Sequence, residues 1–343
     1  MAKAGFGGTG VTTTPQKNAP ASGAHGQAKA AKGDSQVPQI ERTSFEIAAS
    51  DSTILRGWRY NRPAQNQGRR KALPLNPHTL LCLPSELGNT HEYDAFAQQL
   101  MSLPNAPKRL YTVDLRGRGR SNLGPGGDDI SLDTSDIVSL VDGLNLHHVD
   151  VLVTGRTITT LLPAAISRPG TFRRLILNDA AAEFDPVGIA RSTALDQRAK
   201  APSNLEDAAS LLKSSRGESF TSLSKEDWAD WARALYRKDG NRLVPDRDPK
   251  LVRLGNSGDF EMRQPTLWQE FRLFYRCPTL LLRGAGSDFV SEAVAEKMAE
   301  VHGNLRHVAI PGQGHPLRLH LAHLPEAIAT FLALEEIAPV GTD

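Results

Sequence analysis

The sequence predicts a doubly wound α/β fold, a mostly parallel sheet of about eight strands with helices on both faces. Three observations carry this expectation. Short, near-continuous apolar runs recur along the chain, amphipathic stretches of helical period lie between them, and one long polar interval interrupts the alternation late in the chain. Uninterrupted apolar runs are typical of strands covered on both faces, and a strand–helix alternation joins parallel neighbours through crossovers.

Residues 1–38 come first, rich in Gly, Ala, Lys, Thr and Pro and almost empty of large apolar side chains. Such a segment cannot bury enough surface to offset its ordering entropy and is expected to be disordered. It has no apolar stretch of the secretory kind. Its Gly5-Phe6-Gly7-Gly8-Thr9-Gly10 has the spacing of a dinucleotide-binding loop, but no strand can precede residue 5, so that reading is discarded. Segments 44–49 and 53–60 then alternate around Ser50-Asp51-Ser52 and read as an antiparallel pair. Further strands are expected at 78–83, 110–115, 149–153, 174–177, 279–282 and 307–310, and helices at 93–103, 134–144, 158–167, 291–301 and 325–336.

The interval 185–270 breaks this rhythm. It is polar, helical in pattern and holds three of the four tryptophans. Within it Ser224 and Asp227 are spaced as a helix N-cap pair, and Trp228, Trp231 and Leu235 fall on one face. A helical insertion between two core strands, over the carboxyl ends of a parallel sheet, is placed to act as a lid. The expected organisation is a tail at 1–38, a core split between 39–184 and 271–343, and a lid at 185–270.

Bulk properties narrow the function classes. A net charge of +2 over 343 residues makes no electrostatic case for nucleic acid, and no run is long and apolar enough to span a membrane. Cys82 and Cys277 each adjoin an apolar run and read as buried, reduced thiols, with the cytoplasm as the expected compartment. His315, His320 and His323 are clustered and His147 and His148 adjoin, but neither group has metal-binding spacing. No metal and no cofactor are expected. The expected partner is a small-molecule substrate or ligand.

Four stretches carry possible chemistry. Asp114-Leu115-Arg116-Gly117-Arg118-Gly119-Arg120-Ser121 follows one apolar run, and Thr154-Gly155-Arg156-Thr157-Ile158-Thr159 joins another to a helix. Asp288 closes the loop after 279–282, and His315 lies in Gly312-Gln313-Gly314-His315-Pro316 after 307–310. A doubly wound sheet places its ligands past such strand ends. Together with Leu80-Leu81-Cys82-Leu83-Pro84, these motifs resemble the α/β-hydrolase fold superfamily across about residues 43–338.

The resemblance implies a nucleophile–acid–base order of Thr157, Asp288 and His315, with Gly155-Arg156-Thr157-Ile158-Thr159 standing for the nucleophile elbow G-x-S-x-G. Thr157 then replaces serine and Thr159 replaces the second glycine. A β-branched residue on that positive-φ turn costs roughly 1–3 kcal/mol. The implied oxyanion donors are the backbone N–H groups of Glu86 and Ile158. Pro84-Ser85 stands for the usual His-Gly, and Arg156 is a partner for the Glu86 carboxylate. Asp179, after 174–177, is a reserve acid, since some relatives draw the acid from that strand end. Two functions follow. One is metal-free hydrolysis of a small ester, lactone or similar substrate by a Thr-Asp-His variant triad; the other is a non-catalytic hydrolase-fold protein binding a small ligand or a protein under the lid.

Overall fold

In the computed structural model, residues 40–61, 76–125, 130–198, 201–251 and 266–334 are described. The expectation of a disordered tail therefore falls outside the described residues. Eight strands form one sheet in the order β1-β2-β4-β3-β5-β6-β9-β10. Their ranges are β1 Arg42–Ala48, β2 Ile54–Asn61, β3 Asn76–Leu83, β4 Pro107–Asp114, β5 Val149–Thr154, β6 Phe172–Asn178, β9 Thr279–Gly284 and β10 Leu305–Ile310. β1 pairs antiparallel with β2, and β2 antiparallel with β4; every other neighbour pair is parallel.

Alternation along the central strands sends successive residues to opposite faces. Leu81, Leu83, Val151, Val153, Leu175 and Leu177 enter one buried cluster, and Leu80, Cys82, Leu152 and Ile176 enter another. The first face is covered by α2 (Ile130–Gly143), α3 (Ile158–Ser167) and α8 (Glu292–Val301), through Ile137, Leu161 and Met298 among others. The second is covered by α1 (Asp94–Ser102) and α9 (Leu324–Ala333), through Phe96, Leu100, Ile328 and Leu332. Both faces are covered, which explains why the strand runs are continuously apolar. Cys82 and Cys277 are free thiols.

Between β6 and β9 the chain forms α4 (Pro186–Arg198), α5 (Leu205–Arg216) and α6 (Lys225–Leu235), then the hairpin β7 (Tyr236–Asp239) and β8 (Arg242–Pro245), and later α7 (Trp268–Arg272). Ser224 and Asp227 make the reciprocal capping box at the start of α6. Trp228 and Trp231 stack with centroids 5.6 Å apart, and Phe220 meets both edge-on. The hairpin departs from the helical pattern expected for this interval. Gly240 turns it with φ 58°, a conformation that interrupts a helix and suits a tight hairpin. Trp268 leaves the insertion's own cluster; its indole N–H donates to Glu183 at 2.7 Å and its ring packs on the main core.

The Asp-x-Arg-Gly-x-Gly-x-Ser loop after β4 is a structural brace. Arg116 and Asp136 form a bidentate pair at 2.7 and 2.6 Å, with side chains 1% and 0% exposed. Arg118 pairs with Asp133 and donates to the carbonyls of Arg116 and Glu86. Asp114 accepts the N–H groups of Thr90 and Arg120. Asp136→Ala would strand the Arg116 guanidinium in the interior, a change that typically costs about 3–5 kcal/mol, less here because Asp51 also reaches Arg116 at 3.0 Å. Urea unfolding should show that loss as a lower midpoint at unchanged slope; an unmoved midpoint would assign the brace no stabilising role.

Candidate active site

A cavity of about 300 Å³ opens at the carboxyl ends of the parallel strands. The core contributes Ser85 and Glu86 after β3, Arg156 after β5, Phe289 after β9 and His315 after β10. The insertion contributes Ile189 and Ser192 from α4, Leu212 and Arg216 from α5, and Trp231 and Leu235 from α6. Trp231 therefore faces the cavity, while Trp228 lies behind it in the insertion's own apolar cluster.

His315 is 9% exposed and lies flat on the Phe289 ring at 3.7 Å. Its Nδ1 is 2.8 Å from a carboxylate oxygen, and that carboxylate belongs to Asp179, not Asp288. Asp179 is fully buried at the end of β6 with φ 49°, a left-handed turn that Asp tolerates better than most residues. Its carboxylate also accepts the Gly284 N–H at 3.1 Å and the Ser287 hydroxyl at 2.6 Å. An acceptor so held makes Nδ1 the donor and leaves the Nε2 lone pair free to act as a base. Asp288 instead is 37% exposed at its side chain and has Arg191 at 4.0 Å. Its backbone is pinned against α4, where a Cβ on Gly188 would come within 1.7 Å of the Asp288 carbonyl oxygen. The loop after β9 thus reaches His315 through Ser287 and Asp179, and the carboxylate beside His315 follows β6, not β9 as expected.

The elbow is displaced as well. The left-handed residue between β5 and α3 is Gly155, at φ 56°. Thr157 has φ −59° and ψ −15°, ordinary right-handed helix, so the expected strain is absent. A Cβ built on Gly155 would lie 3.1 Å from His315 Nε2 and 2.7 Å from Cε1. The position that faces His315 therefore belongs to Gly155, which carries no side chain, and the five-residue turn centred on it is Val153-Thr154-Gly155-Arg156-Thr157. Thr157 stands at its last position, and its hydroxyl donates to the Pro84 carbonyl at 2.7 Å. It makes no hydrogen bond with His315 among the described residues. Thr159 lies beyond the elbow, half-buried on α3.

Ile158, expected as the second oxyanion donor, is engaged within its own turn. The Ile158 N–H is taken by the Arg156 and Gly155 carbonyls of the short helical turn Gly155–Thr157. The backbone N–H that follows the elbow residue is that of Arg156. Glu86 lies on the opposite side of the corner, its carbonyl held by the Arg118 guanidinium at 2.8 Å. Its carboxylate meets Arg156 Nε at 3.1 Å, which neutralises a charge that would oppose a developing oxyanion.

One acid in this cavity had no motif to announce it. Glu92 is 8% exposed and lines the wall with Ser85 and His315. It accepts the Ser85 N–H at 3.1 Å and the Ser85 hydroxyl at 2.5 Å. Burial raises its pKa, opposed by those two hydrogen bonds and then by Arg318 and His315. Gly88 leaves the room it needs, since a Cβ there would come within 1.9 Å of Glu92 Oε1. Among the described residues no group of three His, Cys, Asp or Glu side chains converges as a metal site would, and no helix is long and apolar enough to cross a membrane.

The fold has counterparts among solved structures. An α/β hydrolase from Novosphingobium aromaticivorans superposes with a TM-score of 0.70 over 86% of this chain and 98% of its own, at 23% identity. The chain has the α/β-hydrolase fold. E-2-(acetamidomethylene)succinate hydrolase follows at a TM-score of 0.63, 16% identity and coverage of 85% and 97%. An esterase from Exiguobacterium antarcticum aligns at 0.60, 17% identity and coverage of 84% and 99%. In sequence, the chain is 26% identical over 254 residues to the 3-hydroxybutyrate-oligomer hydrolase of Cupriavidus necator, covering 71% of this chain and 84% of that protein. No family model matches.

Proposed function

We propose that the chain hydrolyses a small ester by general-base catalysis, with His315 activating a water molecule beside Gly155 and no covalent acyl-enzyme. The observation that carries this reading is a base to which no side-chain hydroxyl is hydrogen-bonded among the described residues: His315 is oriented by Asp179, and its Nε2 faces the bare Cα of Gly155. Nε2 takes a proton from water as the water oxygen attacks the ester carbonyl. The carbonyl oxygen gathers charge at the corner made by the backbone N–H groups of Glu86 and Arg156. Collapse breaks the bond to the alcohol, which leaves with the proton that His315 returns. Positioned proton transfer of this kind contributes about 10²–10⁴-fold. The insertion acts as the lid, its α5 and α6 supplying one wall of the cavity. The relationship to a 3-hydroxybutyrate-oligomer hydrolase supports a short hydroxy-acid ester as the substrate.

The test is turnover of a 3-hydroxybutyrate dimer in ¹⁸O-water, with a fluorophosphonate probe in parallel. Wild type should release singly labelled acid and remain unmodified by the probe, and His315→Ala should lower kcat by about 10²–10⁴-fold. A probe adduct on any side chain would replace the water mechanism by a covalent one. The absent side chain at residue 155 also favours a second reading, a non-catalytic protein that binds a small ligand in this cavity. Ligand binding without turnover, unaffected by loss of His315, would establish it.

A further inference from the structure

The cavity's charges are unequal in their pairing. Three arginines line it, Arg156, Arg216 and Arg247, together with the acids Glu86 and Glu92. Glu86 is engaged by Arg156, and Glu92 by the Ser85 N–H and hydroxyl. Arg216 reaches the Ser192 hydroxyl at 3.4 Å and lies 5.9 Å from the Trp231 ring centroid.

Arg247 is different. Its backbone is anchored beside Arg118 by an isolated bridge, just past β8, so the side chain starts from a fixed point on the insertion's wall. No carboxylate of the described residues forms an ion pair with it, and its Nε is buried without a hydrogen-bond partner. The neighbouring acids are used elsewhere: Asp246 accepts from Asn89 at 3.1 Å and lies 3.5 Å from Arg237, and Asp248 accepts the Lys250 N–H at 2.9 Å. A guanidinium on the cavity wall with no carboxylate beside it, and with its Nε withdrawn from water and unmatched by protein, is set to receive a planar anion, and a carboxylate offers two acceptors in matching geometry.

We propose that the molecule this cavity accepts carries a free carboxylate, and that Arg247 is the residue that binds it. The proposal deepens the ester-hydrolase reading and rests on it for the reaction alone: an ester with a second, ionised carboxyl group would place that group on the insertion's wall and its reacting carbonyl at the core's wall, by His315. Arg247 then selects anionic esters over neutral ones of the same length.

Binding is measured by calorimetry on His315→Ala protein, where hydrolysis is suppressed, with monomethyl succinate as the anionic probe and dimethyl succinate as the neutral one. The anion should bind at least ~10-fold more tightly than the diester, and Arg247→Met should remove that preference, a ~10–100-fold weakening for the anion alone. Arg247→Lys should recover part of it, because the charge returns without the planar fork. Equal affinity for the two probes, or a preference that survives Arg247→Met, overturns the proposal. Preference lost in Arg247→Met while wild type turns over no ester keeps the carboxylate site and removes the hydrolytic reading, so the two fail separately.

Discussion

Asp179→Asn is expected to lower kcat/KM for ester hydrolysis by about 10³–10⁴-fold, while Asp288→Asn leaves it nearly unchanged. An amide at 179 can turn its NH₂ toward Nδ1 of His315, which favours the tautomer with the proton on Nε2 and removes the lone pair that must accept from water. The Asp179 carboxylate also holds Ser287 and the Gly284 N–H, so the change is checked for folding by near-ultraviolet dichroism before kinetics are compared. Asp288 touches neither His315 nor the elbow through a hydrogen bond among the described residues, and its nearest charge is the exposed Arg191. Equal losses from the two substitutions would return Asp288 to the acid's role, and a silent Asp179→Asn would remove the His315–Asp179 pair from the reaction.

Gly155→Ser should turn a protein that fluorophosphonate leaves unmodified into one labelled stoichiometrically at residue 155. The new hydroxyl would project from the left-handed turn toward Nε2 of His315, where a neighbouring base can take its proton. The substitution has a structural cost. A non-glycine residue at φ 56° loses roughly 1–3 kcal/mol, and the added Cβ would meet His315 Cε1 at 2.7 Å. The ring must shift along Phe289, to which it is parallel within 3°, to relieve that contact. The expected signature is therefore double: a lower melting temperature, and an acyl-enzyme burst with activated esters. A folded Gly155→Ser protein without adduct would show that Nε2 does not command this seat. Labelling that appears with Thr157→Ser instead would restore the elbow register expected from the string alone.

Much of the scaffold is legible in the sequence. The strand runs at 78–83, 149–153 and 279–282 lie within β3, β5 and β9, because a strand buried on both faces writes itself as an unbroken apolar run. The α6 cap at Ser224 and Asp227 was equally local, a pair of side chains bonding backbone three residues away. The hairpin β7–β8 was missed, although Asp239-Gly240-Asn241 between short alternating segments is a turn signal.

The elbow shows how pattern matching and physics can part. Matching Gly155-Arg156-Thr157 to G-x-S aligned the glycine with the motif's first position. The stereochemical argument against a β-branched residue at positive φ pointed the other way, since Gly155 is the one glycine between Val149 and Thr160 and so the residue best able to turn left-handed. Counting from the strand end would have put it at the centre of the elbow.

By itself, then, the sequence determined what is local or periodic: the order of strands and helices, the apolar faces, the caps, and a histidine presented by a glycine-rich loop after the last strand. The tertiary structure alone decided which carboxylate faces that histidine, because Asp179 and Asp288 are both loop acids past strand ends and the choice turns on where Ser287, Gly284 and Gly188 hold their backbones. It also decided that Glu86 is matched by Arg156, that Glu92 enters the cavity, and that Arg247 has no carboxylate partner among the described residues. Such pairings join residues far apart in the chain, and burial, which no local pattern records, is what makes them count.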